Sequence, residues 1–137
     1  MGTLVAPNEL KVQLIAVGSR IHGTRGTFLF RRADAVTGIF LISNGAVRLG
    51  LEEEPPAFPS RHVGPGAVLG LPAALSNSPY SLSAEVLEDS ELVYLSRERL
   101  IDLLRDKPDL SMLVIEVLTE ELTQTRSALE RVRKVVG

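Results

Sequence analysis

The sequence contains no cysteine, and aromatic residues make up only 4% of its 137 positions. Without cysteine, the chain has no disulfide scaffold, no thiol nucleophile and no cysteine-ligated zinc or iron–sulfur site. Histidine is scarce too, because His22 and His62 are the two that the sequence holds. A zinc or iron centre would find few nitrogen ligands here. We therefore expect no metal site, no cofactor and no catalytic residue.

An excess of charge and a long apolar run are also missing. Fifteen basic and seventeen acidic residues give a net charge of −2, which does not favour direct contact with a nucleic acid. The apolar runs are far shorter than the roughly twenty residues of a membrane helix. The first residues, MGTLVAPNELK, lack the basic cluster and apolar stretch of a secretory signal. We expect a cytoplasmic chain without membrane contact, long enough for one domain.

Glycine and proline, which number eleven and eight, punctuate the first two-thirds of the chain. They separate short β-branched or aromatic stretches, which predict strands at 27–30, 38–42, 46–51, 61–63, 82–87 and 91–95. Such spacing is typical of a sandwich or a barrel. The dipeptide Asn44–Gly45 predicts a type I′ hairpin, because that turn needs positive φ at both central residues.

The last third of the chain follows a helical pattern. Ser96 is a candidate N-cap for a short helix that ends before Pro108. No glycine or proline then occurs until Gly137, and polar Thr125 stands alone in a heptad seam of Ile115, Leu118, Leu122, Thr125, Leu129, Val132 and Val136. A helix of this length spans roughly 40 Å, more than a small domain can cover. The seam predicts a homodimer through this helix, and a solvated tail is the alternative.

The order of these elements is similar to that of a known family. GTFLFRRADAVTGIFLISNGAVRLG at 26–50 and VGPGAVLGLPAALSNSPYSLSAEVLEDSELVYLSRERLIDLLRDKPDL at 63–110 resemble the cyclic-nucleotide-binding sensor domain of the catabolite-activator and fumarate–nitrate regulators. The resemblance implies a mainly β fold with helices. A double-stranded β-helix, or jelly-roll and cupin-like β-roll, would be followed by a short helix and a long C-terminal dimerisation helix. Residues 1–107 would form the roll and its flanking helices, and residues 108–137 the dimerisation helix of the same domain.

In that family a phosphate-binding cassette holds the nucleotide through a short helix after Gly-Glu and an Arg followed by a small hydroxyl residue. Here Gly70 and Ser81 match, but Leu71 and Tyr80 replace the charged pair, and no charged side chain lies between Val68 and Ala84. The resemblance implies ligand contacts from Gly70, Leu71, Ala73, Ala74, Tyr80 and Ser81, with Thr125 and Arg126 as a lid.

A cyclic phosphate would lack its cationic partner in this cassette. We therefore expect weak or no cAMP binding, and either an unknown neutral or weakly polar small molecule or an empty roll. Thr125 equally fits a second role, which is to set the register of the dimerisation helix.

We interpret the chain as a non-enzymatic regulatory domain that senses a ligand and signals through its dimerising helix. Since the sequence ends at Gly137, two readings stay open: the sensor part of a transcription regulator, or a separate sensor that acts on a protein partner. The alternatives are a small cupin-type metal-dependent enzyme and a ligand-free structural dimerisation module.

Overall fold

The computed structural model describes residues 6–51, 60–115 and 117–118. Its elements in chain order are α1 (Asn8–Val17), β1 (Ser19–Gly23), β2 (Phe28–Phe30), β3 (Gly38–Gly50), β4 (Arg61–Val63), β5 (Val68–Leu69), α2 (Leu71–Ser76), β6 (Ser83–Ser96) and α3 (Arg97–Asp106). A further helical stretch, α4, covers 108–115 and 117–118.

Two long strands, β3 and β6, pair along their whole length and carry the rest of the sheet. The strand order is β1-β6-β3-β4, with β2 added to β6 and β5 added to β3, and each pairing is antiparallel. Apolar residues meet across the central pair, with Ile39 opposite Leu95 and Val47 opposite Val86. The mainly β fold with helices is confirmed.

The predicted hairpin at Asn44–Gly45 is wrong, because both of its expected arms belong to the single strand β3. Gly45 has φ of +109°, but Asn44 keeps a negative φ, so the pair does not form a type I′ turn. The register with β6 shifts here instead, as in a β-bulge. Ser90 of β6 fills the irregularity, and its Oγ accepts the Ala46 N–H at 3.2 Å. The strands expected at 82–87 and 91–95 are likewise one strand, β6.

Buried side chains form two clusters on different sides of the sheet and the helices. The roll cluster consists of Phe30, Phe40, Ile42, Val47, Leu49, Val63, Ala67, Leu69, Ala73, Tyr80, Ala84 and Leu92. The helix cluster consists of Ala6, Leu10, Leu14, Ile39, Leu41, Val68, Leu71, Ala74, Val93, Leu95, Leu100, Leu103, Leu110, Val114 and Val117. Helix α2 contributes to both clusters, so it lies between the roll and the outer helices.

The sequence analysis did not predict α1, although it is well anchored. Leu10 and Leu14, one turn apart, are each 1% exposed and pack in the helix cluster. Val12 and Ile15 on the same helix are exposed, at 53% and 44%. Apolar residues on both sides of a short helix blur its periodicity, which explains why the pattern did not stand out.

Helix α3 agrees with the sequence at both ends, whereas the long helix predicted after it is described only as far as residue 118. Ser96 caps α3, with its side chain accepting the Arg99 N–H, and α3 ends before Pro108 as expected. In α4, Val114 is buried in the helix cluster and Leu118 packs partly against it, whereas Ile115 is 51% exposed. Seam residues Leu122, Thr125, Leu129, Val132 and Val136 lie outside the described residues.

None of the helices in the part of the chain that the structure describes is long and apolar enough to cross a membrane.

Candidate functional site

The candidate site is built around α2, the short helix that joins β5 to β6. Gly70 precedes α2 with φ of +85°, a conformation that glycine adopts without steric cost. A side chain at this position would also be crowded, since its Cβ would lie 3.0 Å from Cε1 of Tyr80 and 3.1 Å from the Gly38 carbonyl oxygen. Pro72 stands in the first turn, where its missing N–H does no harm. Both features agree with the cassette that the sequence predicts.

The structure separates the predicted ligand residues into two groups. Leu71, 1% exposed, and Ala74 face the helix cluster, away from the roll interior. Ala73 and Tyr80 face the roll cluster, and Ser81 is exposed. Gly70 and Tyr80 therefore meet, but Leu71 points to the opposite side of α2 from Tyr80. Thr125 and Arg126 lie outside the described residues.

Tyr80, which replaces the arginine of the family pattern, packs and hydrogen-bonds against other residues of the protein. Its ring stacks on Phe30, with centroids 3.9 Å apart and planes at 11°. Its hydroxyl donates to the Gly38 carbonyl at 2.7 Å and accepts the N–H groups of Thr37 and Gly38, each at 3.2 Å. The side chain is 3% exposed. The phenol thus acts as a buried structural contact between the cassette and the start of β3.

The loop before β3 fixes the end of the cassette through its backbone. The Ala33 N–H donates to the Tyr80 carbonyl at 2.8 Å, and the Tyr80 N–H donates to the Asp34 carbonyl at 3.1 Å. The Arg32 N–H donates to Oγ of buried Ser83 at 2.9 Å. The guanidinium of Arg31 lies over the Phe28 ring, 4.0 Å from its centroid. Two arginines are therefore carried by a loop bonded to the cassette, although the cassette itself has no charge.

Arg97 is a site residue that the sequence analysis missed. It is the first residue of α3, and its Nε donates to the carbonyl oxygen of Ala74 in α2 at 2.7 Å. Its N–H donates to the Thr37 carbonyl at 3.0 Å. The sequence could have indicated this role. A basic residue in the first turn of a helix interacts unfavourably with the helix dipole, which suggests that it has a specific partner.

The two histidines belong to opposite ends of the sheet. His22 lies on β1 and His62 on β4, with β6 and β3 between them in the strand order. Nδ1 of His22 is 2.9 Å from a carboxylate oxygen of Glu91, and this hydrogen bond raises the pKa of His22 above its usual 6.5. His62 is in register with Arg48, which pairs with Glu85 at 3.1 Å. The histidines therefore do not share one site.

The described part of the chain is an antiparallel roll with a short helix between β5 and β6, followed by a capped helix that leads to α4. Residues 20–107 match the sequence-family model of the cyclic nucleotide-binding domain. The chain belongs to this family.

Individual relatives support the assignment. The cyclic AMP receptor protein of Thermus thermophilus is 28% identical over 131 residues, which cover 92% of this chain and 58% of that protein. The crystal structure of the Thermus thermophilus catabolite activator protein superposes with a TM-score of 0.71 at 25% identity, covering 95% of this chain and 60% of that one. The c-di-GMP responsive regulator CLP of Xanthomonas campestris shares the fold, with a TM-score of 0.67 at 19% identity over 93% of this chain and 62% of that one. The chain thus spans about three-fifths of each relative.

Proposed function

We propose that this chain is a non-enzymatic regulatory domain whose cassette does not hold cAMP in the usual way and whose output passes through a dimerising C-terminal helix. The observation that carries the proposal is the packing of Tyr80. Its ring lies against Phe30 and its hydroxyl is bound to Gly38. The sequence resemblance aligns Tyr80 with a phosphate-binding arginine of the family.

The charge balance of the cassette supports the ligand part of the proposal. A cyclic nucleotide brings a phosphodiester anion, and a desolvated anion needs charge-assisted hydrogen bonds. Losing one such bond costs about 1.5–3 kcal/mol. Since no charged side chain lies between Val68 and Ala84, the cassette cannot supply it. Leu71, which stands where the family has Glu, faces the helix cluster and offers no acceptor to a ribose hydroxyl.

The chemistry of the remaining groups favours a neutral or weakly polar small molecule. Ser81 presents an exposed hydroxyl, and Gly70 and Ala73 are small residues on the roll side of α2. Thr125 and Arg126, which lie outside the described residues, are the proposed lid. A ligand-free dimerisation module is the second candidate, and it is favoured by the same Tyr80 packing, because the phenol already satisfies the groups around it.

Apolar residues on two sides of α4 support the dimer part of the proposal. Leu110, Val114 and Val117 pack into the helix cluster. Met112 and Ile115 are 64% and 51% exposed, and they lie on the opposite side of the helix. The heptad seam continues from Ile115 toward Val136 in the sequence. A second copy of this helix would cover the exposed side, which we propose as a parallel pair.

The dimer is tested by replacing two seam residues together, Leu122→Lys and Leu129→Lys. Four like charges would then face one another across a desolvated seam, and sedimentation should report a monomer with half the mass of the unaltered assembly. Val12→Lys, at an exposed position on α1, is the matched control and should leave the mass unchanged. A double variant that keeps the unaltered mass would show that the seam is not the interface.

A further inference from the structure

The first residue of α3 is basic, which helix formation alone does not explain. A cation beside the N-terminus of a helix faces the positive end of the dipole and costs a few tenths of a kcal/mol or more. Arg97 is half-buried, and its Nε lies 2.7 Å from the carbonyl oxygen of Ala74. Ala74 is 0% exposed. A short charge-assisted hydrogen bond to a fully buried residue is a specific contact and not a chance surface pairing.

The carbonyl that receives this bond belongs to the last turn of α2. The final four carbonyls of a helix have no partner within it. In α2 the Ala73 carbonyl accepts the Asn77 N–H of the C-cap, and the Ala74 carbonyl is taken by Arg97. A cation also suits this end of the dipole. Arg97 therefore holds the C-terminal end of α2 from a different helix.

A second path joins α3 to the segment after α2 through Thr37, the residue before β3. The Arg97 N–H donates to the Thr37 carbonyl at 3.0 Å, and the Thr37 N–H donates to the Tyr80 hydroxyl at 3.2 Å. Tyr80 follows α2 along the chain by a few residues. The contacts from Ala74 through Arg97 and Thr37 to Tyr80 thus form a closed ring, completed by the chain from 74 to 80.

We propose that this ring, defined by Ala74, Arg97, Thr37 and Tyr80, is the positioning link that makes α2 and the start of α3 move as one unit. α3 and α4 meet at Lys107, whose N–H donates to the Leu103 carbonyl and whose carbonyl accepts the Leu110 N–H. The link itself does not rest on the proposed function.

Hydrogen exchange on the full chain tests the link through the variant Arg97→Met, which keeps the length of the side chain and removes the donor. Amides of 71–77 should exchange at least about tenfold faster, because one charge-assisted bond holds that turn. Arg99→Met is the matched control. Arg99 lies in the same turn and its Nη1 donates to the Val17 carbonyl at 3.3 Å, so its loss should act on the end of α1 and leave 71–77 unchanged.

A second pair of variants tests the other half of the ring. Tyr80→Phe keeps the stacking on Phe30 and removes the hydroxyl, and it should speed exchange at 37–38 and in the first turn of α3. Tyr94→Phe is the control, since the Tyr94 ring packs against Phe40 at 5.1 Å and should leave both segments unchanged.

The link is overturned if Arg97→Met leaves exchange in 71–77 unaltered, or if it speeds β3 and β6 as much as α2. Neither variant pair requires a ligand or a partner chain. Failure of the link would therefore leave the proposed function intact. Micromolar cAMP binding would overturn the proposed function, whereas exchange in the ligand-free variants alone decides the link.

Discussion

At the scale of single residues, Gly45 shows how a long-range contact decides the local backbone. It has φ of +109°, and a Cβ there would overlap Oγ of Ser90 and come within 2.8 Å of its Cα. Ser90 is 1% exposed and donates its hydroxyl to the Glu88 carbonyl at 2.7 Å. The buried, hydrogen-bonded Ser90 side chain therefore cannot move away from a Cβ at position 45. A residue without a side chain is required at 45 by its partner strand as well as by its own dihedral angle.

We predict that Gly45→Ala lowers the free energy of unfolding by about 3 kcal/mol, the sum of left-handed strain and overpacking. Gly26→Ala is the matched control, because Gly26 has φ of +88° and open space where the Cβ would lie. It should cost about 1 kcal/mol from strain alone. Urea denaturation of both variants measures the difference. Equal losses would show that Ser90 does not restrict position 45.

At the scale of elements, the sequence predicts helices and strands whose ends are determined by neighbouring residues. It does not predict those that are determined by contacts with distant residues. Ser96 and Pro108 mark both ends of α3 within the sequence itself, and the structure confirms them. The hairpin at Asn44–Gly45 failed because the pairing of β3 with β6 overrides the turn preference of the dipeptide. The sequence did not predict α1 because its hydrophobic periodicity is weak, and packing in the helix cluster stabilises it instead.

Helix α1 offers a test of that explanation. Leu14→Ala should destabilise the chain by about 3 kcal/mol, because it leaves a cavity in the helix cluster, where Leu14 is 1% exposed. Val12→Ala on the same helix should change stability by less than about 0.5 kcal/mol, because Val12 is 53% exposed. Thermal unfolding compares the two variants. Similar small effects would indicate that α1 contributes little to the core.

At the scale of the whole molecule, the resemblance assigned the cassette to a sequence segment, but it could not give the packing of the side chains there. The positions of Gly70 and Pro72 at the start of α2 follow from local preferences of those residues. The inward packing of Tyr80 does not, since it depends on Phe30 and on the start of β3, about forty to fifty residues earlier in the chain. The opposite orientation of Leu71 likewise depends on where α1 and α3 pack.

This arrangement gives the molecule a cassette that is complete without an anion. The buried polar atoms around Tyr80 are bonded to one another, and Arg97 ties the same segment to α3. A nucleotide phosphate would have to displace these contacts, and the cassette has no cationic side chain to offset the free energy lost. The central claim is therefore that the roll, despite its family, does not take cAMP as its ligand.

Calorimetric titration of the unaltered full chain with cAMP tests this claim most directly. We predict no binding heat at micromolar concentrations, and a free energy of unfolding that does not change when cAMP is added. Binding with a dissociation constant in the micromolar range would instead add about 2.7 kcal/mol of stability at a hundredfold excess over that constant. Such a result would contradict the account, because Tyr80 would then have to leave Phe30 and Gly38 to admit the phosphate.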